Sequence, residues 1–137
     1  MLRRSKGNPH FARSELLFDI LACEYELVGG PVHTGSQIPR VVRPLVQVES
    51  ELAQNTRDSV TDFNKLVCGS AAWSLFVGPL NASNGSISYL DMLAPLADRV
   101  TGRVCIAFIP HPEEWPSTAG ALGFAWDRGP RGWRVVG

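Results

Sequence analysis

The alternation of apolar and polar residues predicts a strand in the first periodic part of the chain. Residues 15–27, ELLFDILACEYEL, place apolar side chains on both faces of an extended segment, and Asp19 interrupts them in its first half. Two apolar faces are typical of a strand that is covered on both sides. We therefore expect Asp19 either to point into a cleft or to be capped by a neighbouring group.

Similar patterns predict the other elements. Strands are expected at about 42–51, 73–78, 103–109, 121–126 and 132–136, and helices at about 59–72 and 87–99. The first helix carries an apolar stripe with Phe63 and Leu66, and Ser59 with Asp62 fits a capping box at its start. Pro95 is expected to bend the second helix or to shift one of its ends.

The order of these elements predicts a mixed sheet. Two strands come first, and each helix then joins one strand to the next, which requires part of the sheet to be parallel. The last two strands flank the turn segment 127–132 and form a terminal hairpin. The expected fold class is α/β (α+β), with a mixed central sheet flanked by helices.

The length of 137 residues fits one domain that buries a single core, with residues 1–13 as a frayed N-terminal segment. Hydrophobic residues make up 45% of the chain and charged residues 19%, which argues against long disordered segments. The net charge is zero, whereas a non-specific DNA-binding protein usually carries a positive surplus. Any basic surface on this protein is therefore expected to be local.

The three cysteines, Cys23, Cys68 and Cys105, are far apart in the sequence and have no CxxC spacing. This pattern indicates buried thiols in a reducing compartment rather than disulfides or a zinc site. No apolar run approaches the length of a membrane span, and the basic start of the chain is not followed by an apolar signal core. We expect a cytoplasmic protein without a membrane partner.

A group of acids lies at the end of the second expected strand. Alternation places Val46 and Val48 on one face of this strand and Gln47, Glu49 and Glu51 on the other. Carboxylates that share one edge of a sheet repel each other unless a cation, a bound proton or solvent relieves them. A capped helix follows at once, so the segment 45–66 is the expected place of any chemistry.

The succession of an acid in one strand, Glu-x-Glu in the next and a lysine in the following helix resembles the restriction-endonuclease-like, or PD-(D/E)XK, nuclease superfamily. The resemblance covers about residues 15–108 and concerns the order of elements. It implies a restriction-endonuclease-like fold in which Asp19, Glu49 and the main-chain carbonyl of Ser50 bind Mg²⁺ or Mn²⁺. Glu51 stands where the family has its lysine and is a further candidate catalytic acid beside Asp19 and Glu49. Lys65 would replace that lysine from the helix.

Two short motifs add to the resemblance. VESEL followed by TDFNKL is similar to ESEW followed by DFxKLL in small members of the superfamily, with Leu52 in place of the tryptophan. The chemistry is consistent with these residues, because carboxylate and carbonyl oxygens suit a hard divalent cation that activates water. A nearby ammonium such as that of Lys65 would offset negative charge that develops on phosphate.

Each candidate also has a purely structural interpretation. Asp19 can be a strand acid that binds a loop amide, Glu49 and Glu51 can lie on an exposed strand face, and Lys65 can be a solvated helix lysine. The first hypothesis is a metal-dependent nuclease that hydrolyses phosphodiester bonds, with nucleic acid as its partner and DNA favoured over RNA. The alternative is a catalytically inactive domain of the same fold that acts as a structural or protein-interaction module. Either form is expected to allow a homodimer or larger assembly.

Overall fold

A computed structural model of the chain contains a mixed six-stranded sheet and two helices. The strands are β1 (Ile20–Gly29), β2 (Gln37–Ser50), β3 (Trp73–Pro79), β4 (Arg103–Ile109), β5 (Leu122–Asp127) and β6 (Gly132–Val136). The helices are α1 (Thr56–Cys68) and α2 (Gly85–Ala97), and a 3₁₀ turn covers Pro112–Glu114. The structure describes residues 18–30, 35, 37–52, 56–80, 85–114 and 120–136. The N-terminal segment 1–13 and the first residues of the segment 15–27 lie outside this part.

The strands follow one another across the sheet in chain order. β2, β3 and β4 are parallel neighbours, while β1 pairs with β2, β5 with β4 and β6 with β5 in antiparallel fashion. Helix α1 connects β2 to β3, and α2 connects β3 to β4, as parallel neighbours require. The mixed α+β class and the terminal hairpin are therefore confirmed.

Most of the core lies between the helices and one face of the sheet. Phe63 and Leu66 of α1 are fully buried, which confirms the predicted apolar stripe. The ring of Phe63 meets that of Phe76 on β3 edge to face, with centroids 5.4 Å apart. Such edge-to-face contacts add to the stabilisation from burial. The other fully or nearly fully buried apolar residues include Leu93, Ala97, Val100, Val104, Ile106 and Phe108.

Helix α1 differs from its prediction at both ends. It begins at Thr56 rather than at residue 59, and it ends at Cys68 rather than at residue 72. The prediction of a capping box at Ser59 is wrong, because Ser59 lies inside the helix. The hydroxyl of Ser59 is buried and shares a hydrogen bond of 3.1 Å with the Tyr89 hydroxyl of α2. This contact joins the two helices.

Strands β1 and β2 extend beyond the rest of the sheet as a two-stranded ribbon. β2 pairs with β3 only from Val46 onward, and the earlier residues of β2 pair with β1 alone. One face of the ribbon carries ion pairs of Arg43 with Glu24 and Arg40 with Glu26. The expectation that β1 is covered on both sides is wrong, because α1 packs on β2 and β3 and leaves most β1 side chains exposed.

The helices and the thiols were each the subject of a prediction from the sequence. None of the helices in the described residues has the length and apolar character needed to cross a membrane. Cys23, Cys68 and Cys105 are free thiols. Cys23 and Cys105 are half-buried, but Cys68 is exposed at the last position of α1, so the prediction that all three are buried is wrong.

Candidate active site

The antiparallel pairing of β1 with β2 brings two predicted acids together. Ile20 pairs with Val48, so Asp19, which directly precedes β1, lies beside Glu49. The backbone N–H of Asp19 donates a hydrogen bond of 3.1 Å to Glu49 Oε1. Asp19 is therefore not within the strand, as the sequence suggested, but at its entry. There its backbone and side chain are both free to bond to the end of β2.

The carboxylate of Asp19 is held by the residue that follows Glu49. Both the backbone N–H and the hydroxyl of Ser50 donate to Asp19 Oδ2, at 2.8 and 2.7 Å. Charge-assisted hydrogen bonds of this kind orient a carboxylate strongly. The structural interpretation of Asp19 was an acid that binds a neighbouring amide, and the bond from the Ser50 N–H is a contact of that kind.

Helix α1 brings Lys65 to the same place. Because α1 crosses over β2 on its way to β3, its inner flank faces Glu49. Lys65 Nζ donates to Glu49 Oε2 at 3.0 Å and also contacts Asp62 Oδ1 at 2.7 Å. Asp62 is three residues before Lys65, and such pairs are neighbours on a helix surface. The two contacts join Asp62, Lys65, Glu49 and Asp19 into one chain of polar interactions, hereafter the acid–lysine network.

Burial dominates the electrostatics of Glu49. Its side chain is only 1% exposed, so the interpretation as an exposed strand acid is wrong. Loss of hydration raises the pKa of Glu49, and the nearby charge of Asp19 raises it further. The hydrogen bond and charge of Lys65 and the N–H of Asp19 act in the opposite direction. Glu49 is therefore a carboxylate whose ionised form depends on its partners.

Lys65 is held in its charged form. The hydrogen bond to Asp62 raises the pKa of the Lys65 ammonium above its ordinary value, and Glu49 adds to this effect while partial burial opposes it. The network thus contains three carboxylates and one ammonium, and the ammonium of Lys65 contacts those of Glu49 and Asp62 directly. When all of them are ionised, two negative charges remain, which favours a cation and repels phosphate.

The raised pKa of Glu49 predicts a specific dependence of stability on pH. An acid whose pKa is higher in the folded than in the unfolded state stabilises the fold less as pH rises through that interval. We expect the free energy of unfolding of the wild type, minus that of Glu49→Gln, to fall as pH rises from the ordinary glutamate value through the raised one. Denaturant titrations across this pH range measure the difference. A difference that rises with pH would mean that attraction to Lys65 outweighs burial.

Glu51 occupies a different position from the other candidates. It lies beyond the last residue of β2, and its backbone N–H donates to the carbonyl of Val77 on β3 at 3.0 Å. That bond belongs to the last pair of the parallel ladder between the two strands, Ser50 with Val77. This contact gives Glu51 a structural role in the sheet. Its catalytic role stays a prediction. In the described residues, no three His, Cys, Asp or Glu side chains form a metal-binding group.

Three contributions to the site were missed in the sequence. The sequence pattern favours a helix cap for Asp62, whereas the structure pairs it with Lys65, three residues later on the same helix surface. For Ser50 the resemblance indicates only the main-chain carbonyl, whereas its hydroxyl binds Asp19 in the structure. Gln47 is fully buried two residues before Glu49 and binds α1, and only its place in the strand alternation indicated that it faces the same side.

Known proteins do not identify the function of this site. Comparison with protein-family models, curated proteins and solved structures found no match. Its function must therefore be inferred from the arrangement of Asp19, Glu49 and Lys65 themselves.

Proposed function

We propose that the protein is a metal-dependent nuclease domain of restriction-endonuclease-like fold, which hydrolyses phosphodiester bonds in DNA. The observation that carries this proposal is the convergence of Asp19, Glu49 and Lys65, which come from three separate segments. The mixed sheet, with its acids at the ends of two adjacent strands and its lysine on the next helix, supports the same function. The proposed partner is nucleic acid, and the proposed location is the cytoplasm.

The donor atoms of the site fit a hard divalent cation. Asp19 and Glu49 offer carboxylate oxygens, and Ser50, which directly follows Glu49, adds a main-chain carbonyl. Each oxygen of Glu49 accepts one described hydrogen bond, and an ionised carboxylate has about four acceptor positions, so capacity for a cation remains. Mg²⁺ or Mn²⁺ bound there would polarise a phosphate and lower the pKa of water.

The net negative charge of the acid–lysine network makes metal dependence necessary for this function. The three carboxylates repel a phosphate group unless a cation lies between the phosphate and the carboxylates. Lys65, held charged by Asp62, is placed to offset the negative charge that develops on the phosphate during attack. Ser50 holds the carboxylate of Asp19 in one orientation through two hydrogen bonds, so that it does not have to be ordered when substrate binds.

Calorimetry tests the cation site. Mg²⁺ or Mn²⁺ is expected to bind the wild type at millimolar concentration or below, and Glu49→Gln is expected to abolish binding, because it removes a charged ligand without changing the size of the side chain. Glu26→Gln is the matched control, since Glu26 is an exposed acid paired with Arg40 on the ribbon. No binding by the wild type would refute the cation site, as would equal binding by Glu49→Gln.

One observation favours the alternative, a catalytically inactive interaction module. Glu49 is almost fully buried and already bonded at both oxygens, so the network can stabilise the junction of β1, β2 and α1 without any ligand. In that case Glu49→Gln lowers stability but no cation binds to either form. The same calorimetric titration therefore separates the two functions.

A further inference from the structure

A buried glutamine connects the three elements that surround the site. Gln47 is 0% exposed and lies on the same face of β2 as Glu49. Its Nε2 donates one hydrogen bond of 2.9 Å to the carbonyl of Leu66 on α1 and another of 2.9 Å to the hydroxyl of Ser74 on β3. One amide group thus fixes α1 against two strands of the sheet.

The bond to α1 is made next to the lysine of the site. Leu66 directly follows Lys65, so Gln47 holds the helix backbone at the residue beside the one whose ammonium contacts Glu49. Glu49 is on the same strand as Gln47, two residues away. The side chain of Gln47 therefore fixes the helix backbone beside Lys65, and strand β2, which carries Gln47, fixes the backbone of Glu49. A flexible lysine stem reaches a defined position only when its backbone is fixed.

The packing around Gln47 leaves room for this amide and little else. A Cβ at Gly69 would lie 1.9 Å from Gln47 Oε1 and 2.7 Å from its Nε2. Gly69 does not adopt a left-handed backbone conformation, so space for Gln47, rather than backbone freedom, explains the absence of a side chain there. Gln47 Oε1 is buried without a hydrogen bond, which is unfavourable compared with an apolar side chain of the same shape.

We propose that Gln47 is a positioning residue for Lys65. It holds the end of α1 at the distance from β2 at which the Lys65 ammonium meets Glu49, and the two hydrogen bonds of its Nε2 offset the cost of its unsatisfied oxygen. The catalytic consequence of this role depends on the proposed nuclease function. The structural role does not, because it concerns only the contact between Lys65 and Glu49.

Two variants test the positioning role by different means. Gln47→Met removes both hydrogen bonds at nearly constant volume, and Gly69→Ala displaces the amide while leaving Gln47 in place. The wild type is expected to show a nuclear Overhauser contact between the Lys65 ε-methylene and the Glu49 γ-methylene, because Lys65 Nζ lies 3.0 Å from Glu49 Oε2. Each variant is expected to abolish this contact. Ser59→Ala is the matched control, because it removes a buried hydrogen bond that α1 makes to α2 six residues before Lys65, and it is expected to keep that contact.

The outcomes separate this proposal from the function itself. If folded Gln47→Met or folded Gly69→Ala retains the Lys65–Glu49 contact, Gln47 serves stability alone and the proposal is overturned; if Gln47→Met does not fold, Gly69→Ala decides. If the wild type cleaves DNA, both variants should lower kcat at least tenfold with KM nearly unchanged. A wild type that cleaves nothing would refute the nuclease function, and the magnetic resonance result would still decide the role of Gln47.

Discussion

Replacing Phe63 by alanine is expected to lower the free energy of unfolding by about 3–5 kcal/mol, the usual cost of removing a fully buried aromatic side chain. Phe63 is 0% exposed, and its ring contacts Phe76 on the neighbouring strand. The substitution removes apolar burial and leaves a cavity between α1 and the sheet. Chemical denaturation monitored by circular dichroism measures the change.

Val135→Ala is the control for this substitution. Val135 is 73% exposed on β6, so its loss is expected to change the free energy of unfolding by no more than about 0.5 kcal/mol. An unchanged denaturation midpoint for Phe63→Ala would mean that α1 presents another face to the sheet. Because Phe63 lies two residues before Lys65, that result would also remove Lys65 from the site.

Lys65→Ala is expected to lower the cleavage rate by roughly two to three orders of magnitude while the cation still binds. Removal of the ammonium frees Glu49 Oε2 from its hydrogen bond, so affinity for Mg²⁺ or Mn²⁺ should stay the same or rise. The charge that Lys65 offsets in the transition state is then unbalanced, and the loss of one such group lowers kcat by roughly 10²–10³-fold. Cleavage rates at saturating metal, together with calorimetry, measure both effects.

Arg57→Ala serves as the control for Lys65→Ala, because it removes another cation of α1 that lies on the exposed surface at the start of the helix. It is expected to cleave at nearly the wild-type rate. Equal activity of Lys65→Ala and Arg57→Ala would contradict the role of Lys65. Loss of metal binding in Lys65→Ala would show instead that the ammonium supports the cation site itself.

The central strands could be predicted from the sequence because burial alternates along them. β4 spans Arg103–Ile109, the predicted range, and its side chains alternate between buried and less buried positions. β2 begins at Gln37, earlier than the predicted residue 42, because its first half pairs only with β1 and has no regular pattern of burial. The pairing of Cys23 with Pro44 lies beside a register shift, which a proline inside the ribbon favours.

The acids and the lysine of the candidate site could be predicted from their order in the sequence. The burial and the contacts of these side chains could not. Nothing in the alternation of β2 distinguishes an exposed Glu49 from a buried one, because the face it lies on is covered only when α1 crosses over the strand. The same tertiary packing creates the contact of Lys65 with Glu49 and the bond from Gln47 to α1. Asp62 shows the converse, because its spacing of three residues from Lys65 is a local signal that fits a helical ion pair as well as a helix cap.

The most direct test of the proposed nuclease function is DNA cleavage by the wild type and by Glu49→Gln, on supercoiled plasmid and on single-stranded DNA, with and without Mg²⁺ or Mn²⁺. The wild type is predicted to cleave at least one of these substrates only when the cation is present. Glu49→Gln is predicted to remain folded by circular dichroism and to cleave neither. A wild type that binds the cation but leaves both substrates intact would contradict the proposal, and so would cleavage by Glu49→Gln at the wild-type rate.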